Sequence, residues 1–313
     1  MNWILDKKYI YWIGLFLGSG LFLYQLSVGI HSIKQGDIYF VNDWIILFIF
    51  LAALFAVFTQ MFNWQIILTG MGIRIPFIEI SKGYVYSFLP RYIPGSVWGY
   101  LSRGEWLRQH GVEYSETNTA SFIEILTTFI SGIVLIGVTF NQVNGWGILK
   151  LLLLTISLPI LTWLLIHNSS SLVINLTWRW SKFFIPVNRI DFKTWWVTLS
   201  IYFFHWLIWG IVILMTIQLI SPFNVDKKNI ISLIFSCAPI FALGWMGGFL
   251  IPFIPAGLGV RELIITSLLS SVIGLSPEQS TFIATFVRII YLLAEFLWLI
   301  WAITLHTIRP NKT

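Results

Sequence analysis

Charge is what this chain has least of. Asp, Glu, Lys and Arg together make up 10% of its 313 residues, and only 13 of them are acidic. A soluble domain carries roughly a quarter, so there is too little charge here to clothe a water-facing surface. Cysteine is nearly absent too. Cys237 is the one example and sits in an apolar run, which excludes an intrachain disulfide and any thiolate-rich metal site. The five histidines form no pair at helical spacing, and neither metal nor cofactor is expected. A Gly-Lys phosphate loop is missing, which argues against an ATP-driven pump. No nucleophile–base set stands out, which argues against an enzyme. The formal charge of +6 is spread thinly, and without a basic patch interleaved with aromatics nucleic acid is not an expected partner.

Hydrophobic residues fill the space, at 57%, with 17 Trp and 26 Phe. Apolar stretches of about 20 residues cross a hydrocarbon core. Six qualify: Tyr9–Ile30, Trp44–Thr69, Thr119–Phe140, Ile148–Ile166, Trp195–Ile220 and Thr281–Leu305. The first is too long for a signal peptide and has no small-residue cleavage site, so it reads as an uncleaved span. The expected fold is an all-α polytopic membrane protein, a single transmembrane domain over 1–313.

Two regions are left, both broken by proline and glycine. The first carries Pro90, Arg91, Pro94, Gly95, Gly99 and Arg103; the second carries Pro252, Pro255, Gly257, Gly259, Arg261 and Glu262. Each is followed by a glycine-led turn and a long apolar span bearing a charge, Glu124 or Arg288. Broken backbone is tolerated at membrane depth only where protein or a water-filled cavity satisfies its polar groups. Paired breaks in corresponding halves point to a transporter's binding site. Residues 77–110 and about 235–273 therefore read as re-entrant hairpins that meet near the midplane. Pro239, Gly244, Gly247 and Gly248 weaken Ile230–Leu250 as one straight helix. Eight complete spans is the alternative.

Lys and Arg concentrate in the N-terminal tail, 70–118, 167–194 and the C-terminal tail, whereas 141–147 carries none. The positive-inside rule then places both termini in the cytoplasm. Span–hairpin–span over 44–140 and over 195–305 acquires opposite orientations, an inverted repeat. Asn168–Phe184 reads as an interfacial connector between the halves.

Pro255-Ala256-Gly257-Leu258-Gly259-Val260-Arg261-Glu262 resembles the Pro-x-Gly-Leu-Gly-Val-x-Glu signature of the lysylphosphatidylglycerol synthase transmembrane-region family, the flippase-like membrane domain family. Tyr92-Ile93-Pro94-Gly95, with Gly99 and Arg103, is similar to its looser second landmark. Glu124 falls where the family usually has an acidic residue. The resemblance covers roughly 40–305. Many relatives have Gly-Glu in the first element, where this chain has Gly99-Tyr100. Only a short tail follows Leu305, and the resemblance is therefore expected to cover the translocating region and not the enzyme.

Each candidate residue has a structural reading beside the functional one. Arg91 and Arg103 either clamp a lipid phosphate or snorkel to headgroups, as Arg108 is expected to do. Arg261 stands at a helix start that attracts anions, and Glu262 either serves the site or only caps the helix. Glu124, Arg288 and Glu295 lie inside spans, where pairing is required; Arg288 with a Glu is either a functional cluster bridging the halves or a structural lock. His205 reads as a satisfied core histidine, with a proton relay as the rival. The expected function is movement of an anionic or polyprenyl-linked lipid between leaflets. The expected partners are a phospholipid or lipid-linked substrate and the surrounding membrane lipids. A non-transporting scaffold for a lipid-modifying enzyme or cell-envelope glycosyltransferase is the alternative.

Overall fold

A computed structural model describes residues 16–31, 43–93, 98–144, 156–164, 190–220 and 230–308. Every regular element among them is helical. In chain order they are helical residues 16–31 (α1), Asp43–Gly70 (α2), Phe77–Tyr86 (α3), Trp98–Arg108 (α4), Tyr114–Asn144 (α5), helical residues 156–164 (α6), Phe192–Ile220 (α7), Ile230–Phe249 (α8), Val260–Leu268 (α9) and Pro277–Ile308 (α10). Short 3-10 turns at Leu89–Tyr92 and Pro255–Gly257 carry the two breaks, and a π turn at Leu269–Ile273 extends α9. The connector Asn168–Phe184, the 145–147 stretch, Pro94 and Gly95 lie outside the described residues, as do parts of the spans at Tyr9–Ile30 and Ile148–Ile166.

Six described segments are long and apolar enough to cross a membrane. Four are the expected Trp44–Gly70, Tyr114–Thr139, Phe192–Ile220 and Pro277–Leu305; the other two are Ile230–Phe249 and Pro255–Ile273, the arms of the second broken region. The expectation that proline and glycine would weaken Ile230–Leu250 as one helix is corrected. Helix α8 runs unbroken for 20 residues with Pro239 inside it. Its glycines are packing surfaces. A Cβ on Gly244 would stand 2.6 Å from the Ile265 side chain, and one on Gly247 would stand 2.3 Å from that of Ile264. Small residues of this kind let membrane helices approach closely. The arms of the first broken region are much shorter, 10 residues in α3 and 11 in α4. At about 1.5 Å per residue, neither reaches across a hydrocarbon core of about 30 Å.

The order of elements occurs twice. Helices α2, α3, α4 and α5 follow one another with a proline-containing 3-10 turn between α3 and α4, and a left-handed glycine, Gly111, before α5. Helices α7, α8, α9 and α10 do the same around Pro255–Gly257, with Gly274 before α10.

The chain forms two compact units, interleaved in sequence. One comprises 1–57, 88–99 and 206–313; the other comprises 58–87 and 100–205. In the first unit, the 3-10 turn Leu89–Tyr92 packs against the 3-10 turn Pro255–Gly257, and α9 packs on both α8 and α10. The tips of the two breaks touch there. Helix α1 closes on the same place: Gln25 Nε2 donates to the Gly259 carbonyl at 3.4 Å, and a Cβ on Gly18 would lie 3.0 Å from the Leu258 carbonyl oxygen. In the second unit, α3 and α4 pack through Gly83, where a Cβ would stand 2.3 Å from the Trp106 ring, and Trp106 Nε1 donates to the Glu79 carbonyl at 2.8 Å.

Candidate functional site

The first unit holds a buried charged cluster built around the second break. Two constraints shape its backbone. Gly257 has φ +66°, and a Cβ there would come 2.7 Å from the Gly248 Cα; only glycine allows both the left-handed turn and that approach. Ala256 also has positive φ, +48°, an uncommon state for a residue with a Cβ. Its carbonyl accepts from Arg288 Nη2 at 3.3 Å. Helix α9 then starts at Val260, and Glu262 reaches back so that Gly259 N–H donates to its Oε2 at 2.7 Å. That satisfies one of the amides every helix start leaves unpaired.

Glu262 also faces Arg288, with Nε 3.5 Å from Oε1. It is a helix cap and an ion-pair partner at once. On α10, Arg288, Tyr291 and Glu295 follow at intervals of three and four, one face of a helix. Glu295 takes a hydrogen bond from Tyr92 Oη at 3.0 Å and pairs with Arg91 at 3.5 Å. Both partners come from the tip of the first break.

Arg261 differs from its neighbours. It is 4% exposed. Its guanidinium lies 4.3 Å from the Phe241 ring centroid and 4.8 Å from that of Tyr291. It has no ion pair among the described residues, and its buried Nη2 has no hydrogen-bond partner. Glu262 Oε1 and Arg288 Nε likewise lack a hydrogen bond. Arg91, Arg261 and Arg288 stand against Glu262 and Glu295, so one formal positive charge is left over. A buried cation is costly unless it is paired, and stacking on aromatic faces offsets only part of that.

The second unit holds a cluster of the opposite kind. Arg103 Nη1 donates to Glu124 Oε2 at 2.5 Å, and Arg103 Nε donates to Ser87 Oγ at 2.9 Å. The hydroxyls of Tyr84 and Tyr202 both donate to Glu124 Oε1, at 2.7 and 2.9 Å. The Arg103 guanidinium also lies 3.8 Å from the Tyr84 ring centroid. One cation meets one anion, and the carboxylate is held by three donors. Arg103, expected to clamp a lipid phosphate or to snorkel, makes a buried pair with Glu124.

Arg108 is exposed and 3.6 Å from Glu105, as suits a snorkelling residue. His205 bonds to Thr59 and Gln60, so the core-histidine reading is met and the ring is also wired to polar neighbours. Gly99 falls within α4 and Pro90 is the second residue of the first 3-10 turn. Pro252 lies in the turn after α8. Sequence reasoning missed Tyr84, Tyr92, Tyr202, Tyr291 and Phe241. The signal for one was present: Tyr291 stands three residues after Arg288 within an apolar span, on the same helical face.

Among the described residues no group of His, Cys, Asp and Glu could hold a metal ion.

The profile of the lysylphosphatidylglycerol synthase TM region matches residues 11–298. The chain belongs to this family and is a multi-pass membrane protein. The matched region is the membrane part of such synthases and not their transferase domain. No individual curated protein matches the chain.

Proposed function

We infer that this member of the lysylphosphatidylglycerol synthase TM-region family binds the headgroup of a lipid bearing one negative charge at the Arg261 cluster, and that it moves that lipid between leaflets. The observation that carries the reading is the buried Arg261 Nη2, which has no partner and sits in a cluster with one positive charge in excess. A phosphodiester supplies one negative charge and acceptor oxygens for a planar guanidinium fork. Beside it Glu262 Oε1 and Arg288 Nε face each other at 3.5 Å without a hydrogen bond. The acyl chains would stay in the surrounding lipid.

Two features support movement over simple binding. The cluster is assembled from the tips of two proline- and glycine-broken segments, the arrangement that lines pathways in transporters built from repeats. The twofold order of elements, with 44–140 and 195–305 as inverted halves and both termini cytoplasmic, belongs to the same reading. In it the short first hairpin is re-entrant from the cytoplasmic side, and the second enters from the outer side. Driving a phosphate through low dielectric requires fixed charge in place of water, and Arg261 provides it.

The test uses the full chain in vesicles of phosphatidylethanolamine and phosphatidylglycerol carrying a fluorescent phosphatidylglycerol, with mass spectrometry of the lipids that survive purification. Arg261→Ala is expected to stop movement and to strip the co-purified anionic lipid. Arg261→Lys is expected to restore part of both, since it keeps the charge and loses the fork. Undiminished anionic lipid on folded Arg261→Ala would end the reading.

A further inference from the structure

The second unit contains a hydrogen-bonded chain that the headgroup site does not use. Glu124 Oε1 is 2.7 Å from Tyr84 Oη, which is 3.4 Å from Gln60 Oε1. Gln60 Nε2 is 3.2 Å from His205 Nε2, and His205 Nδ1 is 3.0 Å from Thr59 Oγ1. Gln60, Tyr84, Glu124 and His205 are all buried. The ionisable groups on this chain come from four helices: Tyr84 on α3, Arg103 on α4, Glu124 on α5, and Tyr202 and His205 on α7. Helix α2 contributes Thr59 and Gln60, which carry no charge.

The chain has two self-consistent directions. Tyr84 has one hydroxyl proton and two acceptors within reach, Glu124 Oε1 and Gln60 Oε1. In the direction the structure draws, Glu124 is ionised against Arg103, Tyr84 donates to it, and Gln60 Nε2 donates to a neutral His205. In the other, the Gln60 amide is turned over. His205 Nε2–H donates to Gln60 Oε1, Gln60 Nε2 donates to Tyr84, and Tyr84 donates to an ionised Glu124. His205 is then an imidazolium, with Nδ1–H donating to Thr59. The Glu124–Arg103 pair is kept in both, and the two differ by one proton, carried on His205. An amide's orientation follows from the network around it, so Gln60 can serve either state. A histidine with no such adjustable neighbour would favour a single neutral tautomer when buried.

We propose that His205 is a proton-binding site joined by Gln60 and Tyr84 to the Glu124–Arg103 pair, and that lipid movement is linked to its occupancy. Loading the histidine end takes a proton from a hydronium ion, which becomes water; the Nε2–H bond forms and the Gln60 amide rotates. Arg103 ties the carboxylate end to α4 and, through Ser87, to the end of α3. The charge on Glu124 therefore bears directly on how those two short helices are held. The link to lipid rests on the translocation reading; the proton site does not.

The experiment has one arm for each. The full chain, labelled with nitrogen-15 in its histidines, is titrated in detergent micelles, and the His205 ring signals are identified by their loss in His205→Gln. They are expected to shift on acidification as the imidazolium forms. Tyr84→Phe cuts the chain and leaves both ends, and is expected to move the midpoint by more than about half a pH unit. A His205 that holds one neutral tautomer throughout, or a midpoint indifferent to Tyr84→Phe, overturns the proposal. If His205→Gln does not fold, Tyr84→Phe and Gln60→Leu identify the signal by displacing it.

In the second arm, movement of fluorescent phosphatidylglycerol is followed in the same phosphatidylethanolamine and phosphatidylglycerol vesicles at stepped pH. The wild-type rate is expected to change up to about tenfold across two pH units centred on the midpoint, and Tyr84→Phe to displace that profile. A titrating His205 in vesicles that move no lipid removes the translocation reading and leaves the proton site standing. Lipid movement with a flat pH profile overturns the linkage.

Discussion

Two buried arginines with similar sequence surroundings have opposite fates, and mutation should separate them. Arg103→Ala leaves Glu124 buried without its cation, the kind of change that costs about 3–5 kcal/mol. Loss of folded protein in detergent is expected, and Glu124→Gln in the same chain should recover much of it. Arg261→Ala removes a cation that has no partner, so the melting temperature should stay level or rise while lipid binding is lost. Fluorescence-detected thermal unfolding of both variants checks this; equal loss of stability in the two would contradict the distinction. Ala256 offers a third measurement. Its φ of +48° costs about 1–2 kcal/mol for a residue with a Cβ, so Ala256→Gly is expected to raise stability, partly offset by the entropy glycine adds to the unfolded chain. The need for partners around Glu124, Arg288 and Glu295 was legible in the sequence, because intramembrane charge demands it. Which groups pair was not. Arg91 with Glu295 and Arg288 with Glu262 are 204 and 26 positions apart, and only the fold brings them together.

At the scale of the element, local rules read most helices correctly and misread one. The spans at Trp44, Tyr114, Phe192 and Pro277 follow from length and hydropathy. Helix α8 was expected to be weakened because proline and three glycines are poor helix formers in water. In a protein interior the same glycines face Ile264, Ile265 and Gly257, and what they lose in propensity is offset by close packing. Sequence pattern does not distinguish a glycine that bends a helix from one that receives a neighbour. The two roles can be separated experimentally. Gly257→Ala meets both a left-handed φ and a Gly248 Cα at 2.7 Å, whereas Gly274→Ala has φ +81° with open space around it. Gly274→Ala is expected to cost about 1–2 kcal/mol. Gly257→Ala should cost that plus roughly 1–3 kcal/mol of overpacking. Denaturation of the two in the same detergent checks the difference, and equal values would mean that α8 yields readily to the break.

For the whole molecule, orientation is the property that ties the repeat to function. The order of helix, helix, proline turn, short helix, glycine turn, helix appears twice. If the halves had the same orientation, the two breaks would open to one side, and a headgroup bound there would have no second face to reach. In the proposed inverted arrangement each side would have its own broken hairpin, and Lys and Arg placement gives the sign the proposal takes: 141–147 is uncharged, and 185–193 contains Arg189 and Lys193. A membrane-impermeant maleimide applied to intact cells is therefore expected to label Gly145→Cys and to miss Asn188→Cys until the membrane is opened. Cys237 is fully buried, which keeps the background low, and Cys237→Ala removes it. Labelling of Asn188→Cys from outside together with protection of Gly145→Cys would reverse the orientation of both halves. Labelling of both from outside would require an even number of crossings between them, and the inverted relation would be lost along with the path it provides for the lipid.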